Sequence, residues 1–380
     1  MPEVTVAAAL RRHVPAYLET FGNRVPLGHR KVLSYITRCR TGELGSLLYQ
    51  CGVCDKQHWL GLSCGNRHCP NCQKQKTSVW LAKQTQKLLP VQHFIVTFTV
   101  PKELRALLRA NQKAGYAAIF NAGQQTIRAL LKNPKHLGSD RVGFFGALHT
   151  WGRDIKDFHP HVHFVVPGGG VSADGSRWLQ TPAGFLFPAK AAAAFYKQQF
   201  VELLRQAGLY EQLPYGVLKK NWVVNIKPVS NGAAVLKYLA PYVYRVAISD
   251  KRIESVDDDR VTYRVKPSGK NYYVDRRLSG QQFVGAFAQH ILPSNFQKLR
   301  YYGFMSPNCR FQLEDVRWLV WQYRDWVYWL GCQPEPPQVQ TPTIRCKQCG
   351  GDLELRLILG QRGQVLYRAP LASQRVRPPP

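Results

Sequence analysis

Carboxylates are scarce in this chain: 23 Asp and Glu stand against 52 Lys and Arg in 380 residues, a formal charge of +29. So large a deficit predicts a polyanionic partner, nucleic acid first, held through phosphate contacts and counterion release. The basic residues are spread along folded-looking segments and do not gather in a block or on an amphipathic anchor, which argues against a ribosomal-like or membrane-surface protein. No uncharged apolar window of about 18 residues occurs, and the N-terminus has no charged, apolar, small-residue succession of a secretion signal. A cytoplasmic, nucleoid-associated protein with no membrane partner is therefore expected. Internal repeats are absent, as is the HExxH helix of many zinc hydrolases.

Cysteine, by contrast, is plentiful. Ten occur in a chain expected to be reduced, so clustered ones read as zinc ligands before disulfides. Cys51-Gly-Val-Cys54 and Cys69-Pro-Asn-Cys72 are CxxC knuckles with fourteen residues between them, the spacing of a zinc ribbon. Cys51, Cys54, Cys69 and Cys72 are the expected ligands of one structural zinc. Cys64 and His68, in the intervening loop, could replace a knuckle cysteine or help to form a second site, although Cys64 also suits a small buried hydrophobe. Arg67, Lys74 and Lys76, with Trp59 and Trp80 near, suggest a DNA-facing surface. A further knuckle, Cys346-Lys-Gln-Cys349, lacks an adjacent partner pair, and Cys309 and Cys332 are its nearest unassigned candidates.

The order of the remaining elements predicts an α+β protein. A helical lead-in is expected over 4–39. Strands are expected over 93–100, 142–151, 160–167 and 222–228, with helices over 102–131, 188–207 and 232–247. The first six of these run strand, helix, strand, strand, helix, strand, the ferredoxin-like split βαβ pattern with an antiparallel central sheet. A hairpin over 252–278 and helices over 279–292 and 313–330 should follow, then a disordered tail from about 366. The expected domains are 1–90, a helical and zinc-ribbon module; 91–250, the core; 251–335, a mixed hairpin and helical region; and 336–380, the last knuckle and the tail.

Two stretches carry chemistry. In Phe158-His159-Pro160-His161-Val162-His163-Phe164, period two places His159, His161 and His163 on one face of a strand and the apolar residues on the other. Three imidazoles on one face form a plausible metal site. The preceding strand should hairpin onto this one through the short 152–157 turn, making His149 a suitable third ligand beside His161 and His163. His159 is the competing choice, with Asp154 or Asp157 as an oxygen ligand or orienting group. In Leu236-Lys-Tyr238-Leu-Ala-Pro-Tyr242-Val-Tyr244, Tyr238 and Tyr242 share a helix face at i and i+4. Such aromatics are ordinarily core residues, but a metal-binding histidine strand in a very basic protein favours a functional role.

His161-Val162-His163 fits the signature of the HUH endonucleases, and the wider pattern resembles the two-tyrosine rolling-circle transposases of the insertion-sequence ninety-one family within that superfamily. The resemblance is carried by Cys39-Arg-Thr-Gly-Glu-Leu-Gly45, Ser63-Cys-Gly-Asn-Arg-His-Cys-Pro-Asn-Cys72, Leu148-His-Thr-Trp-Gly152, His159-Pro-His-Val-His163, Tyr238-Leu-Ala-Pro-Tyr242 and Arg300-Tyr-Tyr-Gly303. It implies an HUH nuclease core that cleaves single-stranded DNA at transposon ends and target. Tyr238 and Tyr242 would be the nucleophiles forming a 5′-phosphotyrosine, and Mg2+ or Mn2+ would be held by His161 and His163. Pro241 departs from the family, where a basic residue is common; proline can kink the helix and misalign the two hydroxyls. Tyr244 is a spare candidate turned off the shared face.

Other classes remain in view. A non-catalytic zinc-ribbon DNA-binding regulator explains the charge and the cysteines but leaves the histidines and tyrosines as coincidences. A plasmid relaxase or replication initiator would share the core chemistry without favouring a zinc module in front.

Overall fold

The computed structural model describes residues 4–229, 247–267, 269–324 and 344–370. It is a mixed α+β protein built on antiparallel sheets. Helices α1 (Val6–Phe21) and α2 (Leu27–Thr37) form the lead-in. Thr5 caps α1, its hydroxyl accepting from the Ala8 N–H at 3.1 Å. The hairpin β1 (Ser46–Cys51) and β2 (Gln57–Gly61) and helix α3 (Pro70–Thr85) follow.

The central sheet begins with β3 (His93–Thr99), after which α4 (Arg105–Ala110) and α5 (Gln112–Lys132) cross its face. The single helix expected over 102–131 is thus divided. Asn111, at φ −120° and ψ 52°, breaks it. Strands β4 (Phe144–Trp151) and β5 (Phe158–Pro167) form the expected hairpin, followed by the short pair β6 (Gly169–Val171) and β7 (Trp178–Gln180), helix α6 (Ala189–Gln206) and strand β8 (Val224–Val229). The stretch 252–278 holds three strands where two were expected: β9 (Ile253–Val256), β10 (Arg260–Val265) and β11 (Val274–Ser279). Helix α7 (Gly280–Ala288), strand β12 (Leu299–Tyr302), helix α8 (Leu313–Tyr323) and the hairpin β13 (Leu353–Leu359) and β14 (Val365–Arg368) complete the described elements.

The five-stranded sheet has the order β12-β4-β5-β3-β8, every neighbour antiparallel. The histidine strand β5 is its middle member. Alternation turns Val162, Phe164 and Val166 to one face, where they join Phe98, Phe120, Tyr196 and Phe200 in the largest apolar cluster, under α5 and α6. Phe164 is fully buried, its ring edge-on to Phe98 and Phe144 at 5.7 Å and to Phe120 at 6.2 Å. Burying such a side chain stabilises by roughly 1.5–3 kcal/mol. Gly123 on α5 and Gly146 on β4 give it room: a Cβ at either would come within 2.6 Å of its ring. The opposite face of β5 carries the histidines.

The last strands do not form a separate tail. β13 pairs along β1, giving a second sheet of order β14-β13-β1-β2 that unites residues 46–61 with 353–368. Strand β14 reaches Arg368, inside the stretch expected to be disordered. Among the described residues no helix is long and apolar enough to cross a membrane.

Candidate metal centre

His161 and His163 lie on the same face of β5 because they are two residues apart. The hairpin register sets His149 of β4 directly opposite His161 and Thr97 of β3 opposite His163. The ring centroids of His149 and His163 are 4.6 Å apart, those of His161 and His163 4.8 Å, and those of His149 and His161 5.2 Å. One ligand nitrogen from each of the three falls within 4.8 Å of the others. Trp151 stacks on His149 at 5.2 Å and 19°.

The ring nitrogens are oriented from behind. His161 Nδ1 lies 2.7 Å from the His159 carbonyl, which can only accept, so this nitrogen carries the proton and Nε2 keeps a lone pair. His163 Nδ1 meets the Thr97 hydroxyl at 2.8 Å. Burial, then the charge of His163, holds His161 well below the ordinary imidazole value; burial, then His159, lowers His163 to about 4. Both rings are neutral at pH 7, the protonation state that a cation requires.

His159 projects from the same face but stands outside this trio. Its Nδ1 is 2.5 Å from an Arg105 guanidinium nitrogen, which donates to it. Burial and the Arg105 charge lower its pKa. Nothing in the sequence around Arg105 signals this contact, since a short helix delivers it from 54 positions away. Asp154 accepts from the Tyr263 hydroxyl at 2.7 Å and from the Lys156 N–H at 3.1 Å, and neither Asp154 nor Asp157 belongs to the trio. Tyr238, Tyr242 and Tyr244 lie outside the described residues.

Among the described residues the cysteines form two groups of four, and the four expected to share one zinc are divided between them. Cys51 and Cys54 are not joined by Cys69 and Cys72; they meet Cys346 and Cys349, while Cys69 and Cys72 meet Cys39 and Cys64. The physical reason is local. Cys69-Pro-Asn-Cys72 is not a turn between strands but the start of α3, with Cys69 at the N-cap and Pro70 beside it, where proline's missing N–H costs nothing. That places its sulfurs against the end of α2, where Cys39 Sγ lies 3.7 Å from Cys72 Sγ and Cys64 Sγ 3.6 Å from it. Cys39 sits immediately beyond α2, and only its motif, not a knuckle, marked it in the sequence. Burial raises its thiol pKa to about 11, so without a cation Cys39 holds its proton. His68 is not in either group; its Nε2 accepts from the Leu292 N–H at 3.3 Å, and burial lowers its pKa to about 3.

Two family models match the chain. One, described as "Transposase zinc-binding domain", covers residues 9–100, and one, described as "Putative transposase", covers 143–312. A protein named "Putative transposase y4qJ" from Sinorhizobium fredii is 34% identical over 331 residues, 81% of each chain. The "Transposase for insertion sequence element IS801" of Pseudomonas savastanoi pv. phaseolicola is 29% identical over 289 residues, 70% of this chain and 68% of that one. No solved structure matches. Zinc binding by the N-terminal part agrees with the cysteine groups.

Proposed function

The chain belongs to the insertion-sequence ninety-one family of transposases, and from that premise we propose that it cleaves and rejoins single-stranded DNA by the HUH route, through a 5′-phosphotyrosine, in rolling-circle transposition. The observation that carries the reading is the trio His149, His161 and His163 on adjacent antiparallel strands.

The sheet supports it. Numbering β3, β4, β5 and β8 as strands one to four, their order is 4-1-3-2, with α5 and α6 on one face; this order supports reading the sheet as a split βαβ, ferredoxin-like core extended by β12. Residues 91–250 then form the nuclease core. Residues 1–90 form a metal-binding module to which 344–368 are joined by β-pairing, and 251–335 form the hairpin and helical region.

His149, His161 and His163 would hold a divalent ion, and the donor set fits: His161 and His163 are neutral, the nitrogens converge, and at least one Nδ1 is already engaged. Magnesium or manganese is the family expectation, although imidazoles suit zinc equally. When bound, such an ion polarises a phosphate and offsets its developing charge. Arg105 beside His159 adds fixed positive charge at the same face, where a DNA backbone would approach. Tyr238 and Tyr242 are the proposed nucleophiles. The first described residue after them in the chain, Ala247, lines one cavity with Thr150 and Trp151, close in sequence to His149. A phenol of ordinary pKa near 10 is a weak nucleophile at neutral pH. Its phosphate ester, once formed, conserves the energy of the cut bond, so the free 3′-OH can reseal or transfer the strand without ATP.

The test is incubation with labelled single-stranded oligonucleotides and Mg2+ or Mn2+, read on a denaturing gel. A covalent adduct is expected, absent in the Tyr238→Phe, Tyr242→Phe double variant. Peptide mapping that puts the adduct on Tyr244, or a wild-type protein that binds DNA and forms none, would overturn the assignment in favour of another nucleophile or a DNA-binding regulator.

A further inference from the structure

We propose that Cys51, Cys54, Cys346 and Cys349 bind a second structural zinc ion, which fastens the C-terminal hairpin to the N-terminal module. The matched zinc-binding domain ends at residue 100. The group of Cys39, Cys64, Cys69 and Cys72 lies wholly within it, whereas this second group takes half of its sulfurs from some 300 positions further on.

The spacing of the sulfurs is that of ligands around one ion. Cys51 Sγ lies 3.4 Å from Cys349 Sγ, Cys54 Sγ 3.7 Å from Cys346 Sγ and 3.5 Å from Cys349 Sγ. A tetrahedron of Zn–S bonds of about 2.3 Å has edges of about 3.8 Å, and a disulfide requires about 2.05 Å. The four sulfurs are thus too far apart to be bonded and close enough to share a cation.

The backbone on both sides is built alike. Cys51-Gly-Val-Cys54 closes with the Asp55 N–H donating to the Cys51 carbonyl at 3.1 Å, and Cys346-Lys-Gln-Cys349 closes with the Gly350 N–H donating to the Cys346 carbonyl at 2.9 Å. The residue after each second cysteine is left-handed, Asp55 at φ 56° and Gly350 at φ 73°. That conformation is natural for glycine and is one that aspartate adopts more readily than most other residues, so both pairs of cysteines are closed by the same kind of turn. In each turn an amide points at the first sulfur: Val53 N–H donates to Cys51 Sγ and Gln348 N–H to Cys346 Sγ, both at 3.4 Å, and Gly351 N–H donates to Cys349 Sγ at 3.5 Å. His58 Nε2 stands 3.3 Å from Cys346 Sγ. Donors directed at sulfur offset the negative charge that four thiolates leave on a zinc centre. Gly351 has no room for a side chain: a Cβ there would lie 2.7 Å from Val53 and 3.2 Å from Cys51 Sγ.

Binding exchanges four S–H bonds for four Zn–S bonds and releases four protons to solvent, with no change of oxidation state. Cys54 and Cys349 are exposed, whereas Cys39, Cys69 and Cys72 of the other group are buried. The second zinc is therefore the one that a chelator reaches first.

Metal analysis of the full chain purified under reducing conditions should find two zinc ions, one for each cysteine group. The Cys346→Ser, Cys349→Ser double variant should retain one. Independently of any variant, limited chelation of the wild-type protein should release one zinc first, and with it accelerate amide hydrogen exchange across β13 while leaving β5 unchanged. A wild-type chain holding a single zinc, a double variant still holding two, or β13 protection that survives loss of the first zinc would each overturn the proposal.

Discussion

Gly123→Ala is the substitution whose sign the structure decides against helix propensity. In an exposed helix interior this change is stabilising by about 0.5–1 kcal/mol. On α5 the new methyl would lie 2.6 Å from one ring carbon of Phe164, 3.2 Å from a second, and 3.2 Å from Phe98. The Phe164 ring cannot retreat, because Phe98, Phe120, Phe144 and Tyr302 surround it at centroid distances of 5.7 to 6.2 Å. Overpacking of this kind costs about 2 kcal/mol at the middle of its usual range, which exceeds the propensity gain of about 0.5–1 kcal/mol and leaves roughly 1–1.5 kcal/mol of net destabilisation. For a core of this size that is a fall of about 2–6 °C in melting midpoint. The strain falls on β5, so His163, the neighbour of Phe164 on the opposite face, should be displaced and Mn2+ binding at the trio weakened. Phe164→Leu alone removes edge-to-face ring contacts and should cost at least about 1 kcal/mol, but it opens the space that the methyl needs. The double variant should therefore be more stable than the sum of the two single effects by about 1 kcal/mol. Differential scanning calorimetry of the four proteins closes the cycle. A raised melting point for Gly123→Ala, or strict additivity, would refute the packing argument.

His161→Ala or His163→Ala should abolish strand cleavage while single-stranded DNA affinity, measured by fluorescence anisotropy, changes little, since phosphate contacts dominate that affinity; cleavage at the parent rate would make the histidines structural. Cys69→Ser should unfold the N-terminal module and lower zinc content, because metal binding there is folding free energy, and circular dichroism with metal analysis would show it. Burial lowers the His93 pKa to about 4 from 6.5, so the fold favours the neutral ring. Its contribution is complete above about pH 6.5 and is lost as pH falls toward 4, up to about 3 kcal/mol. Urea midpoints at pH 7 and pH 5 should differ less in His93→Phe than in the parent.

The histidine strand was legible because period two is a local rule, and His149 followed from the brevity of the 152–157 turn, which fixes a hairpin. Phe164 could be assigned to the packed face for the same reason. What sequence did not disclose was pairing at long range. Cys69-Pro-Asn-Cys72 and Cys51-Gly-Val-Cys54 look equivalent as CxxC text, yet Pro70 at the first turn of a helix was a signal that one of them is not a knuckle. Cys39 has no spacing partner nearby, and the union of β1 with β13 spans most of the chain, so neither group of four could be composed from local pattern. Arg105 reached His159 by the same kind of distant packing.

The sheet β14-β13-β1-β2 has a consequence in time. Cys51 and Cys349 are 298 positions apart, and at roughly 5–20 residues per second a ribosome needs about 15–60 s to make what lies between them. Through that interval β1 has β2 on one side and nothing on the other, a two-stranded hairpin that is marginal alone with an open edge able to accept any passing strand. A chain that stops before β13 never covers that edge. The last hairpin to leave the ribosome thus protects one of the first strands made, and a transcript cut short yields a protein prone to aggregate rather than one with a partial activity.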